Sequence, residues 1–418
     1  MSRNTVNMAP SRLGVFEILV NVLAFLYVEA VLILIAWEGL SRSCLVLAWM
    51  LMAVVVMQTL ANGSRFPVAF FLPWLFFFYA VMSIFWSVDS DMAYQAVGQT
   101  LTATLGGTAI WQARNQGLSW KTIAWAAIIG CFVLIASSRG EVAAFGLAGR
   151  AAGLARNANL FAIYLAFTAF IIWTSPQKMP WWAHFLGVMF LSYGIVFSGS
   201  RKSLLILAVA VAGAIVWAVF RIRKPSTWAM LAAGTVFSII LFAYINTRQV
   251  NVEEKLSSLT SVKRMTRLFS GQYSGEETSR QNLILEAINV WQKNPIIGTG
   301  AAQFEVVSPE KAYAHSNYFE ILADYGLLGF GLFYTLHAYL LVKSSHYGIV
   351  KRSPPHRRAM ILLFLILLLD VTMVSYQGKL SWILLGLTAS LVTARRGQTV
   401  SSPLSVPQFQ PIRALGRV

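Results

Sequence analysis

The 418-residue chain predicts an all-α, polytopic membrane protein with about twelve transmembrane helices and one long extramembrane loop containing an amphipathic helix. Three observations predict this. Hydrophobic residues make up 57% of the chain and charged residues 12%, with a mean hydropathy of +0.63. A soluble domain carries about 25% charged residues, so the polar surface that two or three soluble domains would need is missing. Apolar runs close to the roughly 20 residues needed to cross a bilayer recur along the chain. The bases are also spread unevenly between alternate loops, which is a mark of membrane topology. Together these exclude an ordinary soluble enzyme and a disordered chain.

The spans fall at 15–37, 43–60, 67–86, 93–112, 120–138, 158–174, 181–198, 203–220, 227–246, 319–342, 359–376 and 380–394. The first run lacks a small-residue cleavage site and is read as a span, not a cleavable signal. Span four is rich in Thr and Gly. No repeat of 20–50 residues and no symmetry between the halves is visible. The chain therefore divides into spans one to nine (1–246), a loop module (247–318), spans ten to twelve (319–394) and a tail (395–418).

With the N-terminus inside, the cytoplasmic segments hold 18 of the 33 bases and no acid, the short outer loops hold 7 bases, and the long loop holds 8. Long loops translocate largely regardless of charge, so both termini are placed in the cytoplasm and the long loop outside. The net charge of +17 would suggest nucleic acid on a soluble protein. Here it is mostly a topology signal, and no nucleic-acid partner is expected. Cys44 and Cys131 lie in apolar runs and offer neither a disulfide framework nor metal-ligand spacing.

In the long loop, Thr278 or Ser279 can cap a helix that runs to about Lys293. Leu283, Ile284, Ala287, Ile288 and Trp291 then share one face. Asn294-Pro295 ends that helix and Gly298-Thr299-Gly300 makes a turn. The next helix starts at Asn317 with Glu320 three residues on, a capping-box pattern, and is expected to run straight into span ten. A helix lying on the membrane followed by one entering it would shelter an outer cleft.

Several polar residues at that face could carry chemistry. His315 is the only histidine placed outside, two residues before a helix start, where a neutral imidazole able to act as a base is favoured. Arg201-Lys202 sits in a tight Ser-Gly-Ser-Arg-Lys-Ser turn. It could hold phosphate through the Arg fork and the Lys point charge, or serve as a snorkelling anchor. Arg280 opens the amphipathic helix, where a cation is unfavourable unless an anion binds beside it. Arg150, Arg156, Asn157 and Asn159 cluster before span six and could meet a sugar or a headgroup, or form a solvated loop. Asp89-Ser90-Asp91 is a weak metal signal. Glu29 and Asp370 lie within spans and are suspects on that ground. Glu320 and Asp324 follow His315 closely enough to orient it. Nucleotide-binding, zinc-protease and serine-hydrolase motifs are missing from the sequence.

Four pieces occur in order: Arg150 to Asn159; the Ser-Gly-Ser-Arg-Lys-Ser turn; Arg280 leading to Asn294-Pro295-Ile296-Ile297-Gly298-Thr299-Gly300; and Ala314-His315-Ser316-Asn317-Tyr318-Phe319-Glu320-Ile321-Leu322, followed by Tyr325-Gly326-Leu327-Leu328-Gly329. Across roughly 140–345 this resembles the bacterial O-antigen ligase and O-antigen polymerase superfamily. The resemblance implies a metal-independent GT-C type glycosyltransferase of the bacterial inner membrane, without cofactor, whose active site faces the periplasm and whose long loop is periplasmic. It implies transfer of a glycan from an undecaprenyl diphosphate carrier to an acceptor hydroxyl. The acceptor is a second carrier-linked unit in polymerases, lipid A core oligosaccharide in ligases and protein in a third branch. Carried over by position, Arg201 and Arg280 bind the diphosphate and His315 lies at the acceptor hydroxyl. Arg150, Asn157, Asn159, Lys202, Asn317 and Glu320 are the expected substrate-binding set, and no metal site is expected. His-Ser-Asn-Tyr looks more like the exopolysaccharide and capsule polymerases, since ligases more often show His-Asn directly. Polymerase is therefore the favoured expectation, ligase the alternative, and a lipid-linked oligosaccharide flippase the rival class. The bilayer and a chain-length regulator are candidate partners.

Overall fold

The computed structural model describes residues 10–33, 41–145, 151–198 and 275–393. Spans eight and nine lie outside the described residues, as do Arg150, Arg201, Lys202 and the 395–418 tail. All regular structure among the described residues is helical. Among the described residues, six helical segments are long and apolar enough to cross a membrane, which indicates a multi-pass membrane protein. The finer count of twelve spans is taken up under Proposed function.

In chain order, α1 is Pro10–Ile33, α2 Ser41–Ala61, and α3 Leu72–Met82 with 3-10 turns at Val68–Phe71 and Ser83–Trp86. Then come α4 Ser90–Asn115, α5 Trp120–Ser137, the short α6 Arg139–Phe145, α7 Ala158–Trp173 and α8 Trp181–Ser198. After the undescribed stretch follow α9 Gly275–Lys293, the short α10 Gln303–Val307, α11 Asn317–Ser345, α12 Pro354–Asp370 and α13 Lys379–Thr393. The main packing partners are α4 with α13, α7 with α8, α1 with α5, α12 with α13 and α2 with α4.

The Thr- and Gly-rich stretch forms α4, the centre of this packing. Hydropathy reads it weakly because protein, not lipid, surrounds it. Thr100, Thr102 and Thr108 donate to carbonyls four residues back at 2.7–2.9 Å, so their hydroxyls are satisfied within the helix. Gly107 lets the α13 backbone approach: a Cβ there would lie 2.6 Å from the Trp382 carbonyl oxygen, and one at Gly386 would strike the Gly107 carbonyl. Small residues at such a contact are what close helix packing in a membrane requires. The opposite end of the bundle is tied by amides. Gln58 Nε2 donates to Gln116 O at 3.2 Å, and Asn21 Oδ1 accepts from Thr122 Oγ1 at 2.6 Å.

The structure corrects the sequence in three places. The amphipathic helix is already formed at Gly275, the first residue described there, so Thr278 and Ser279 lie inside it and Arg280 does not open it. Span eleven stops at Asp370, and residues 371–378 form a turn before α13. The helix from Asn317 does not run straight into span ten, because Gly326, at φ 62 and ψ −168, breaks it. The apolar pattern runs on through residue 326, which hides the break.

Candidate functional site

The site is built around that break. Pro295–Gly300 (295–300) lies alongside 323–328 and exchanges four backbone hydrogen bonds with it. Thr299 N donates to Ala323 O at 3.0 Å, Gly300 N to Asp324 O at 2.7 Å, Leu327 N to Pro295 O at 2.9 Å and Leu328 N to Ile296 O at 3.0 Å. The approach requires glycine on both sides. A Cβ at Gly326 would run into the Ile296 carbonyl, and one at Gly298 (φ +71) into that of Asp324. Both positions are left-handed, which glycine adopts without a steric penalty. The two glycine-containing motifs of the sequence are thus two halves of one contact. Gln303 then ties this segment to the start of α4: its Oε1 accepts from Asp89 N at 2.7 Å and its Nε2 donates to Asp89 O at 2.9 Å.

His315 sits in the loop leading into α11, half-buried, with φ +58. A left-handed histidine carries a backbone cost of order 1–3 kcal/mol and persists only where its surroundings enforce it. Both neighbours are pinned. Ala314 N donates to the Glu320 carboxylate. Ser316 Oγ donates to Asp370 O at 3.3 Å, and Ser316 O accepts from Glu320 N at 3.0 Å. The capping-box expectation is corrected here. Ser316, not Asn317, flanks the helix start, its side chain makes no cap bond, and Glu320 reaches back to Ala314.

Asn317 is fully buried and fastens α11 to the 371–378 turn. Its Oδ1 accepts from Ser375 N at 2.8 Å and Tyr376 N at 2.9 Å. Its Nδ2 donates to Tyr334 Oη at 2.9 Å and reaches Asp370 Oδ2 at 3.5 Å. Asp370, a suspect without a partner at the sequence level, has three here: Asn317, Tyr334 at 3.0 Å and Ser375 Oγ. Asp324, also fully buried, accepts from Phe304 N at 2.8 Å and Tyr376 Oη at 3.1 Å. The buried carboxylates near His315 are thus all engaged: Glu320 and Asp324 hold backbone amides, and Asp370 holds the side chains of Asn317, Tyr334 and Ser375.

Arg280 is brought to the same place. Leu283 and Ala287, on its face of α9, are buried in a cluster with Phe304, Ala314 and Ala323. The arginine-bearing face of α9 therefore rests on the residue before His315. Tyr313 lies between the two: its ring centroid is 4.2 Å from that of His315 at 59°, and its hydroxyl feels the charge of Arg280. Burial pushes the Tyr313 hydroxyl above its ordinary range, Arg280 opposes this, and Glu320 and Glu305 add to it. Tyr313 remains a neutral hydroxyl at physiological pH. Sequence reasoning missed it, although an aromatic residue two places before the histidine was the available signal.

Other residues singled out from the sequence have local roles. Asn157 caps α7, its Oδ1 accepting from Asn159 N at 2.8 Å and Leu160 N at 3.4 Å. Asn159 lies in the first turn of that helix. Arg156 is exposed beside them, at φ 52. Asp89 caps α4, accepting from Met92 N at 3.0 Å. Among the described residues no three His, Cys, Asp or Glu side chains group as a metal site. Arg201 and Lys202, expected beside His315, lie outside the described residues.

These elements define a multi-pass membrane protein with a polar, glycine-closed loop cluster that presents a strained histidine beside an arginine. The family model for O-antigen ligase matches residues 186–334 of this chain. That segment contains Arg201, Lys202, Arg280, His315, Asn317 and Glu320. The match supports the O-antigen ligase and polymerase superfamily, and with it a glycosyltransferase of that general type. No curated protein matches the chain.

Proposed function

We propose that the chain transfers a glycan from an undecaprenyl diphosphate carrier to an acceptor hydroxyl, and that it acts as the polymerase of an O-antigen, capsule or exopolysaccharide. The observation that carries this reading is His315, held left-handed by pinned neighbours with the Arg280 face of α9 packed on its loop, inside the segment matched by the O-antigen ligase family. In this reading the chain has twelve spans, both termini are cytoplasmic, and the 247–318 loop and the site face the periplasm of the inner membrane.

The acceptor hydroxyl oxygen attacks the anomeric carbon of the carrier-linked sugar. Its proton passes to His315 as general base. The bond from the anomeric carbon to the diphosphate oxygen breaks, and the lipid diphosphate leaves with the electron pair. Arg280 and Arg201 stabilise the charge that builds on the leaving group. Two guanidiniums can meet that need without a metal ion. Glu320 and Asn317 act by fixing the loop and α11, as positioning residues.

The test supplies purified full-length protein with undecaprenyl-diphosphate-linked repeat units and analyses the glycan. Longer lipid-linked chains support the polymerase. Product formed only when lipid A core is added replaces polymerase with ligase. Movement of unchanged donor across a vesicle, without any new glycosidic bond, would refute the transferase reading. Loss of transfer in EDTA, restored by Mn²⁺, would overturn metal independence.

A further inference from the structure

The amino end of α13 lies inside the bundle. At 17 residues, α12, which precedes α13, falls short of the roughly 20 residues needed to cross a bilayer. The turn joining them is buried at Ser375 and Tyr376, and Tyr376 packs against Phe76, within α3, at 6.3 Å between ring centroids. α13 runs in the same direction as α4. Gly107 meets Trp382 and Gly386, and Trp111, one turn on, takes a hydrogen bond partner in Thr393 at 2.8 Å. Since Gly107 is already past the midpoint of α4, the first turn of α13 is level with the interior of its neighbour. Irregular backbone at membrane depth occurs where it is buried in protein or lines a cavity. A helix amino end at such depth favours an anionic group.

The first residue of α13 is Lys379, 9% exposed. A side chain at a helix start tilts toward the amino end, so the ammonium extends past the first turn, where amide groups lack intrahelical acceptors. Among the described residues it forms no ion pair or hydrogen bond, and the one titratable group within its electrostatic reach is Cys44, in the first turn of α2. An ionisable group so placed in a membrane protein marks a binding or transport site by default. Helix end and ammonium carry the same sign, so a ligand that answers both is an anion.

We propose that Lys379 and the amino end of α13 form an anion site between α2 and α13 that takes a phosphate group of a lipid-linked substrate. A phosphate whose chain stays in the bilayer can reach a cation at this level. The lipid-linked identity rests on the glycosyltransferase reading above, and the anion site itself does not.

The experiment measures binding of radiolabelled undecaprenyl diphosphate to the full-length protein in nanodiscs, with undecaprenol and phosphatidic acid as comparison ligands. Lys379→Gln weakens undecaprenyl diphosphate about tenfold or more, the effect of losing a charge-assisted hydrogen bond. It leaves undecaprenol unchanged, and Lys379→Arg restores most of the loss. An unchanged melting temperature for Lys379→Gln separates this from misfolding. Equal diphosphate affinity in wild type and Lys379→Gln overturns the site, even if the wild type transfers glycan. Lys379-dependent binding of phosphatidic acid without binding of undecaprenyl diphosphate upholds the anion site and defeats the glycosyltransferase reading.

Discussion

The His315 loop and the amino end of α13 treat buried charge in opposite ways. Near His315, Glu320, Asp324 and Asp370 each accept hydrogen bonds from backbone amides or hydroxyls. At the start of α13, Lys379, 9% exposed, has no such partner among the described residues. Burying an ionic or polar group costs several kcal/mol unless hydrogen bonds offset it. The first region meets that cost internally and gains a rigid loop. The second leaves it unmet, which is how a ligand site differs from a structural one.

The sharpest way to break this comparison is to truncate each side. Asn317→Ala leaves the amides of Ser375 and Tyr376 and the Tyr334 hydroxyl without their partner, at about 1–3 kcal/mol each. A loss of several kcal/mol is expected as a large drop in the melting temperature of detergent-solubilised protein. Activity, read on whatever protein stays folded, falls with it. Arg280→Ala comes next: transfer falls about 10²–10³-fold, the usual effect of removing one donor to developing negative charge, while the melting temperature holds. A stability loss matching that of Asn317→Ala would make Arg280 structural.

Tyr313→Ala is expected to lower kcat about tenfold, or about 1.4 kcal/mol of barrier, with little change in KM. Tyr313→Phe stays near wild type, because the ring that packs on His315 is kept. A Phe variant as poor as Ala would move the role to the hydroxyl. The smallest effect is that of Lys379→Met on folding. Replacing an unpaired buried charge by an apolar side chain leaves stability equal or higher. Marked destabilisation would show that Lys379 is a structural member of the bundle after all.

Much of this was legible in the sequence, and the exceptions have physical causes. Span boundaries such as 120–138 agree with α5 to within a residue because membrane-crossing helices must be apolar along most of their length. α4 coincides less cleanly with its hydropathy because it faces protein. The break at Gly326 was hidden because both half-helices are apolar and a glycine inside such a run is usually tolerated. Only the segment it meets, 295–300, explains it. His315 was singled out as the one histidine expected outside, and Arg280 as a cation at an expected helix start, although that helix is already formed at Gly275. Asn157 was taken for a sugar contact, yet an asparagine just before a helix is an ordinary cap. Lys379 was counted among the loop bases, since a turn buried at Ser375 and Tyr376 does not differ in composition from one in water.

The most direct test of the central claim is the rate of glycan transfer by purified His315→Ala protein supplied with undecaprenyl-diphosphate-linked donor. Loss of a general base lowers the rate about 10²–10⁴-fold, with membrane insertion, melting temperature and donor affinity unchanged. Transfer at the wild-type rate would contradict the account.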